Sequence, residues 1–473
     1  MLGCGSVAQC LLPLLLKHFS LDPATVTVLE SRDNRHRIAE SIAAGVQYTQ
    51  TEITPANLHQ VLAAHLSDGD ILIDLAWNID LTELLGWCRG HNVRYLNTSV
   101  ELWDPYDTAA DTSPPERTLY WRHMKLRRQI AAWGDNAGPS AVVEHGANPG
   151  LVSHFVKQAL MEIGDAVLRD GHLPERHEAI RGAMDSEQFN VLAQQLDVKV
   201  IHVAERDTQI SRQPKEVGEF VNTWSVDGFY EEGVAPAEMG WGTHERRLPP
   251  LAYQHAGEGP GNQICLAQMA HKTLVRSTTP SSQIVGMVIR HGEAFTICDH
   301  LTVWDGPTPV YRPTVHYAYC PSDAGWASFI ELEGNQYVYP ENQRIMNDDI
   351  ISGRDELGVL LMGHPYKSWW TGMQTSIEEA RAVAPHQSAT TVQVAASILG
   401  AVDWLLRSPH EGVRVPDELP WRQVLDVALP YVGTTWSGPL DWDPVSSRAD
   451  WFDSWAGRYI DHDDPWQYTN FSI

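Results

Sequence analysis

Cysteine pairs, long apolar runs and basic residues are all scarce in this sequence. Six cysteines occur in 473 residues and none forms a CxxC pair, so we predict free thiols rather than a disulfide framework or a zinc ribbon. No apolar run approaches the roughly 20 residues that span a bilayer, and no basic, cleavable leader is seen. These absences predict a cytoplasmic protein with no membrane partner.

Lys and Arg number 34 against 60 Asp and Glu, which gives a formal net charge of −26. This balance excludes a general nucleic-acid binder, because phosphate backbones are held mainly by basic side chains. The acidic excess has two interpretations. It keeps a protein soluble, and its field also attracts a cationic substrate.

The first part of the chain alternates strands with helices. A glycine-rich turn, a helix to about residue 18 and a strand at 25–30 form a βαβ unit. Only Met1 and Leu2 precede the turn, so the first strand is truncated and we expect further residues upstream. Further strands are predicted at 71–75, 94–97 and 141–144, with helices at 56–65, 80–90 and 116–133. This alternation predicts a Rossmann-type, doubly wound parallel sheet.

The pattern changes after Pro149 and Gly150. A helix at 151–163 is followed by short alternating stretches at 199–204, 283–289, 295–304 and 314–319, which are typical of an antiparallel sheet. We therefore predict an α/β fold in which a Rossmann domain over 1–152 precedes an α+β domain with a largely antiparallel sheet over 153–385. A strongly apolar helix at 388–405 comes next.

Residues 3–8, GCGSVA, fit the pattern GxGxxA. Gly3 would make the tight turn, Gly5 would let a pyrophosphate approach the backbone, and Ala8 would let helix and strand pack closely. Ser6 and Val7 complete this first set of cofactor-binding candidates. Without a ligand, the same turn would only be a helix entry.

Glu30 ends the next predicted strand, 25 residues after Gly5. A carboxylate at this place accepts hydrogen bonds from an adenosine ribose, which predicts NAD rather than NADP because the carboxylate repels a 2′-phosphate. Arg32, two residues later, would instead attract the 2′-phosphate of NADP.

Ligands of an open parallel sheet gather at the carboxyl ends of its strands. Polar segments follow three predicted strands, at 77–80, 97–101 and 145–150. Asp80 also has the local role of a helix N-cap, and Asn148 that of a turn residue before proline. Glu101 has no such local role, although a loop carboxylate can simply be solvated. The candidates from these segments are Asn78, Asn97, Thr98, Ala147 and Asn148 for the cofactor, with Asp80, Glu101 and Asn148 for catalysis.

In the second domain, His291 and Glu293 lie between two predicted strands. An imidazole and a carboxylate on one edge can relay a proton or bind an amine, while a solvated hairpin tip has the same spacing. No HExxH or Cys/His cluster accompanies them, so we predict no metal. Trp224 is either a core residue or an aromatic face for an ammonium group.

With these residues, the chain resembles the bacterial homospermidine synthase family, of the saccharopine-dehydrogenase-like group. The resemblance lies in motifs spread over most of the chain, at residues 3–8 (GCGSVA), 75–80 (LAWNID), 95–101 (YLNTSVE), 144–155 (EHGANPGLVSHF), 205–209 (ERDTQ), 221–229 (VNTWSVDGF) and 290–297 (RHGEAFTI). The glycine motif is common to Rossmann dehydrogenases, whereas HGANPG and NTWS are more specific. The resemblance implies that segment 386–473 completes the nucleotide domain, and that 153–385 carries the substrate site and the interface of a homodimer.

The resemblance implies a redox-neutral transferase with a retained NAD. One putrescine is oxidised to an imine, loses ammonia to the amine of a second putrescine, and the new imine is reduced to homospermidine. It makes Glu205 a carboxylate near the reacting amine and Trp224 a cation–π partner of the cationic intermediate. Related diamines and polyamines are further partners. The groups that would line the channel are His291, Glu293, Glu101 and Asn148.

Two other functions are compatible with the glycine turn. A saccharopine or carboxynorspermidine dehydrogenase consumes NAD(P)H in net terms and needs Arg or Lys for substrate carboxylates; we find no basic cluster in the site segments. A nucleotide-sensing regulator would not need the acidic and aromatic residues of the second domain.

Overall fold

The structure, a computed structural model, describes residues 1–104, 111–255, 257–446, 448, 451–457 and 459–473. Strands and helices alternate in its first part as predicted. The strands there are β1 Thr27–Glu30, β2 Gln47–Gln50, β3 Ile71–Asp74, β4 Arg94–Asn97 and β5 Ala141–Val142. The helices are α1 Ser6–His18, α2 Ala39–Ala44, α3 Leu58–His65, α4 Leu81–Gly90 and α5 Leu119–Ala132, with 3-10 turns at Pro23–Thr25, Arg35–Ile38 and Pro114–Arg117.

Leu2 takes the place of a first strand. It bridges β1 and β3 in parallel through Leu29 and Asp74, and its N–H donates to the Ile73 carbonyl oxygen at 2.8 Å. The parallel order is therefore β2, β1, Leu2, β3, β4, β5, followed by β21 (Val413–Arg414). This is the strand order of a Rossmann fold, with the first strand reduced to one bridging residue.

A ten-stranded mixed sheet forms the centre of the second part. Its strands run mostly antiparallel, as predicted, but β16 pairs parallel with β6 along seven residue pairs. The order is β10, β11, β9, β16, β6, β19, β20 and β22, with β12 and β13 beside β16. These strands are β6 Val200–Asp207, β9 Pro236–Gly240, β10 Ala252–Gln254, β11 Gln263–Met269, β12 Leu274–Thr278, β13 Gln283–Met287, β16 Thr314–Cys320, β19 Arg354–Met362, β20 Ser368–Ser376 and β22 Thr435–Leu440.

Short strand pairs and helices surround this sheet. The pairs join β7 Ile210–Ser211 to β18 Ile350–Ser352, β8 Glu219–Asn222 to β17 Asn342–Ile345, and β14 Val303–Asp305 to β15 Thr308–Tyr311. The helices are α6 Leu151–Asp170, α7 His177–Asp185, α8 Phe189–Gln195, α9 Val226–Val234, α10 Glu293–His300, α11 Asp323–Gly334, α12 Ile377–Val383, α13 Ala389–Arg407, α14 Trp421–Ala428 and α15 Tyr468–Phe471. Shorter 3-10 turns occur at Pro174–Arg176, Ala270–Lys272, Pro416–Glu418 and Leu429–Tyr431.

The predicted strand at 295–304 is wrong, because most of this stretch belongs to helix α10. All six residues from Glu293 to Cys298 are buried. A helix that is buried on every side shows no 3.6-residue polar period, so its apolar sequence is indistinguishable from that of a buried strand.

Helix α13 lies between the two sheets. It begins at the Ser388 N-cap, whose side chain accepts from the Thr391 N–H, and packs against α1, β4 and β5 as well as against β19 and β20. By length and hydropathy this helix could cross a membrane, but 89% of its apolar window is buried inside the protein. It is therefore the core helix that joins the two parts.

Candidate active site

One cavity of about 690 Å³ extends from the glycine turn to the mixed sheet. Its wall includes residues of α1, β1 and α9, the loops after β3, β4 and β5, and helix α13. Of the predicted site residues, those that line it are Gly3, Gly5, Ser6, Val7, Glu30, Asn78, Thr98, Glu101, Ala147, Asn148, Glu205, Trp224 and His291. The structure thus brings residues from both parts of the chain to one chamber.

The glycine turn closes one end of the cavity. Gly3 has φ +85°, and a Cβ there would lie 2.8 Å from the Leu75 carbonyl oxygen, so the turn requires glycine. A Cβ on Gly5 would meet no atom within 4 Å, and the bare backbone faces the cavity at the start of α1. The buried Ser6 Oγ has no hydrogen-bond partner in the described residues. An open backbone, a helix N-terminus and an unpartnered hydroxyl fit a pyrophosphate.

Glu30 stands beside this turn at the end of β1. Its Oε2 accepts from the Cys4 N–H at 2.6 Å, and its Oε1 accepts from the Ser31 hydroxyl and the Arg32 N–H, both at 3.1 Å. The half-buried carboxylate also lines the cavity. It therefore lies where the ribose of a dinucleotide is held in a Rossmann fold.

Three predicted residues, Asp80, Asn97 and Glu293, do not line the cavity. Asp80 caps α4 by accepting from the Thr82 N–H at 2.8 Å, and it pairs with the Lys125 ammonium at 2.6 Å. Asn97 accepts from the Glu144 N–H at 2.8 Å and donates to the Ser99 carbonyl oxygen. The side chains of Asp80 and Asn97 hold the loops at the sheet edge rather than facing the chamber.

Glu205 lies at the other end of the cavity, on β6. It is 2% exposed, and the Asn148 amide approaches its Oε2 at 3.5 Å. Burial raises the pKa of Glu205 well above its ordinary value, and the carboxylates of Asp355 and Asp207 raise it further. A carboxyl of this kind exchanges protons far closer to neutral pH than a solvated glutamate does.

His291 lies between two carboxylates. Its Nε2 is 3.3 Å from Glu232 Oε2, and its Nδ1 is 3.2 Å from Glu293 Oε1. Burial by itself would lower the pKa of His291, but these two carboxylates outweigh burial and raise the pKa well above its ordinary value. Glu293 opens α10 behind the imidazole and does not line the cavity. The imidazole therefore presents a cationic or proton-donating group to the chamber.

Aromatic rings lie beside Glu205 and His291, and two of them, Tyr317 and Trp224, line the cavity. Tyr317 and Tyr319 stack at 5.4 Å, because residues two apart on β16 share one face. Tyr317 Oη accepts from the Asn148 amide at 2.5 Å, and Trp224 Nε1 donates to Tyr319 Oη at 3.2 Å. The bond to Tyr319 holds the N–H edge of the half-buried Trp224 indole, and Trp224 lines the cavity.

Several wall residues were missed by the sequence analysis, among them two arginines. Arg122 and Arg290 both pair with the buried Glu231, the former at 3.0 Å. We expected no basic cluster within the site segments. Arg122 lies outside those segments, on α5, and the fold brings it to Arg290. One carboxylate holds both guanidinium groups, so the cluster carries less charge than two free arginines would.

Glu101 lies near this cluster. Its Oε1 accepts from the Ser99 hydroxyl at 2.9 Å, whereas Oε2 is buried and has no partner in the described residues. Burial, followed by the repulsion of Glu231, raises the pKa of Glu101 to about 7. It is therefore a second wall carboxyl that can exchange a proton near neutral pH.

Glu144 was also missed as a site residue. It lies two residues after β5, its Oε2 is 2.7 Å from His123 Nε2, and it lines the cavity. Its carboxylate lies so close to Gly292 that a Cβ there would meet Glu144 Oε2 at 2.1 Å. The position after a parallel strand was the signal that could have identified it.

The charged side chains of the cavity wall favour the binding of a cation. Among the described residues, three arginines and one histidine line the cavity together with eight carboxylates, namely Glu30, Glu52, Glu101, Glu144, Glu205, Asp227, Glu231 and Glu232. Carboxylates and aromatic faces bind ammonium groups, and groups with raised pKa can exchange protons with them. The chamber is thus suited to amine chemistry next to a dinucleotide.

Comparisons with known proteins agree with this architecture. The saccharopine dehydrogenase NADP binding domain family matches residues 1–142, and the saccharopine dehydrogenase C-terminal domain family matches residues 146–434.

Three individual relatives are similar over the full length. The homospermidine synthase of Blastochloris viridis is 38% identical and that of Mesorhizobium japonicum 36% identical, each over 100% of this chain and 96% of the relative. The crystal structure of a homospermidine synthase from Legionella pneumophila in complex with NAD has a TM-score of 0.87 and 35% identity, and the match covers 100% of this chain and 96% of that chain. The chain therefore belongs to the homospermidine synthase family, within the saccharopine dehydrogenase group.

Proposed function

We propose that the protein is a homospermidine synthase that uses NAD to join two putrescine molecules, with release of ammonia and no net redox change. The observation that carries this proposal is the single cavity that joins a dinucleotide turn to a chamber of carboxylates and aromatic rings. Putrescine is a dication at neutral pH, and such a chamber binds cations.

Gly5, Ser6 and Glu30 would hold NAD, with Thr98 and Ala147 beside it on the strand-end loops. When bound, NAD accepts a hydride from an amine carbon and returns it to an imine. The matching domain family is described as NADP binding, but Glu30 would repel a 2′-phosphate, and the relative from Legionella pneumophila is in complex with NAD. We therefore propose NAD.

Glu30→Ala should weaken NAD binding about tenfold, because a half-buried carboxylate that accepts from a ribose contributes about 1.5 kcal/mol. Binding of NADP should weaken less or improve. Titration of the full-length protein with each dinucleotide measures both changes. The matched control is Glu40→Ala, a carboxylate on helix α2 that does not line the cavity. If Glu30→Ala binds both dinucleotides like the parent protein, Glu30 does not contact the ribose.

In the chamber, Glu205 would orient the reacting amine and take its proton, since hydride loss requires a neutral nitrogen. Asn148 would fix the position of Glu205, and Trp224 would place its ring against the cationic intermediate. Glu101 and His291 would complete the channel, and Glu293 would hold the His291 imidazole from behind. Asp80 would act on this site only by capping helix α4 and so holding the loop before it.

A net dehydrogenase of a carboxylated amine is the alternative. It would need arginines free to hold a substrate carboxylate, and Arg122 and Arg290 are both paired with Glu231. The family of the relatives also favours the synthase.

Putrescine and catalytic NAD should give homospermidine and ammonia while the absorbance of NADH stays nearly flat. The reason is that the hydride taken from one substrate is returned to the next intermediate. Ammonia release and NADH absorbance, followed together, measure this. Growth of NADH in step with ammonia would instead assign the protein to the dehydrogenases.

We also infer a cytoplasmic homodimer that binds neither nucleic acid nor membrane and accepts related diamines and polyamines. The net charge of −26 supports the first exclusion, and the burial of α13 supports the second. The membership in a family of polyamine-forming enzymes supports the range of substrates.

A further inference from the structure

Two more carboxylates lie behind Glu205. Glu205 and Asp207 are two residues apart on β6, so they share one face of the sheet. Asp355 on the antiparallel strand β19 is directly opposite Asp207, which places a third carboxylate on that face. Asp355 is fully buried and does not line the cavity.

The hydrogen bonds to these carboxylates are unequal. Asp207 Oδ1 accepts from the N–H and the amide of Gln209 at 2.8 and 3.1 Å, and its Oδ2 accepts from the Thr223 hydroxyl at 2.6 Å. Donors on both oxygens stabilise the ionised form of Asp207. Asp355 Oδ2 accepts from the Thr390 hydroxyl at 2.5 Å, whereas its buried Oδ1 receives no N–H or hydroxyl in the part of the chain that is described.

Glu205 is opposite Leu357 and Asp207 is opposite Asp355, so Glu205 and Asp355 are diagonal neighbours on that face, and side chains at such positions can contact each other. Two neighbouring buried carboxyls do not both ionise readily, and they titrate as a pair. We propose that Asp355 is a positioning residue that shares a proton with Glu205 and thereby makes Glu205 basic enough to deprotonate the substrate ammonium group. This inference rests on the proposed function.

The proton balance is simple. An N–H bond of the ammonium group breaks, its electron pair stays on nitrogen, and an O–H bond forms on Glu205, where the proton lies between the two carboxyls. The same proton leaves with the released ammonia or with the product amine. No oxidant or reductant is consumed by this step.

The charged groups around the pair are mostly acidic. Asp207 and Glu232 act on Glu205, and Asp207 and Glu356 act on Asp355, all of them raising the pKa of the carboxyl they face. Two cationic groups act on these neighbours: His291 contacts Glu232, and Arg206 acts on Asp207. Helix α13 contributes only uncharged groups to Asp355, namely the hydroxyl of Thr390 and the amide of Gln393. Replacing one of these neighbouring carboxylates by a neutral side chain should therefore lower the pKa of Glu205.

The test is the pH dependence of kcat/KM in Asp355→Asn. The amide keeps the shape, removes one negative charge and donates a hydrogen bond to Glu205. The pKa of Glu205 should fall, so the acidic limb of the profile should move to lower pH by at least about one unit, with a lower maximum. Thr390→Val removes the hydroxyl that stabilises ionised Asp355. The acidic limb of the kcat/KM profile of this variant should therefore move to higher pH. Unchanged limbs in both variants would overturn the proposal.

Infrared difference spectra between two pH values test the shared proton without activity. Burial also raises the pKa of Glu101 and Glu245 to about 7, so the signal of interest is the carboxyl component that is lost in Glu205→Gln, and Asp355→Asn should remove the same component. The matched control is Glu245→Gln, a buried carboxylate outside the cavity, which should leave this signal in place. A signal that survives in Asp355→Asn contradicts the proposal. If the parent protein forms no homospermidine, the proposed function fails, and the infrared result still decides whether the proton is shared.

Discussion

Glu205→Gln is expected to lower the turnover of putrescine by about 10²–10⁴-fold, the range for a positioned acid–base group. The amide of glutamine keeps the size of the side chain but takes no proton at neutral pH. The substrate amine would then remain an ammonium group, from which a hydride is not readily lost. Ammonia release under saturating NAD measures the change.

The melting temperature of Glu205→Gln should stay constant or rise, although its turnover falls. Burial and the carboxylates of Asp355 and Asp207 hold the pKa of Glu205 well above its ordinary value. Folding therefore favours the protonated form, and stability that is present at low pH is lost as the pH rises through this pKa. A neutral glutamine removes that loss, so the melting temperature at neutral pH should stay constant or rise.

Glu245→Gln is the control for this variant. Glu245 is also buried, and burial raises its pKa to about 7, but it bonds the Thr314 hydroxyl and the Tyr468 N–H away from the cavity. This variant should keep its turnover within a few-fold. If Glu205→Gln did the same, Glu205 would be only a wall residue.

The cofactor end of the site could be predicted from the sequence because its signals are local. The glycine spacing, the strand that ends at Glu30 and the polar loops after each strand follow from the geometry of one parallel sheet. A single bridging residue, Leu2, was enough to complete the strand order. Its N–H and carbonyl groups bond Ile73 and Leu75 on the β3 side, and the adjacent Met1 carbonyl and Gly3 N–H bond Leu29 of β1.

The substrate end depends on contacts between distant segments. Arg122, Glu231 and Arg290 come from three separate elements and meet only in the folded chain, and no spacing in the sequence links them. The same holds for Asp355, which reaches Glu205 through the pairing of β6 with β19. Asp80 and Asn97 show the converse, because a polar residue after a strand can serve the loop itself.

Trp224→Ala is expected to reduce turnover about thirtyfold or more, which corresponds to roughly 2 kcal/mol of cation–π stabilisation in a desolvated site. The indole N–H is held by Tyr319 and the ring edge by Phe229, whose ring centroid lies 6.1 Å away. These contacts leave the ring at the cavity wall. Trp224→Phe should keep part of the rate, since phenylalanine offers a flat but weaker partner for a cation.

A packing role predicts a different outcome for the same pair of variants. Loss of a core tryptophan costs about 3–5 kcal/mol of stability, and phenylalanine largely restores it. Trp224 is only half-buried, so we expect a small change in melting temperature beside the large change in rate. Trp436→Ala is the matched control, because Trp436 is also half-buried and packs on Trp370, away from the cavity. Its turnover should not change. A Trp224→Ala protein that melts early but is fully active in the cold would show that the indole supports the fold and not the cationic intermediate.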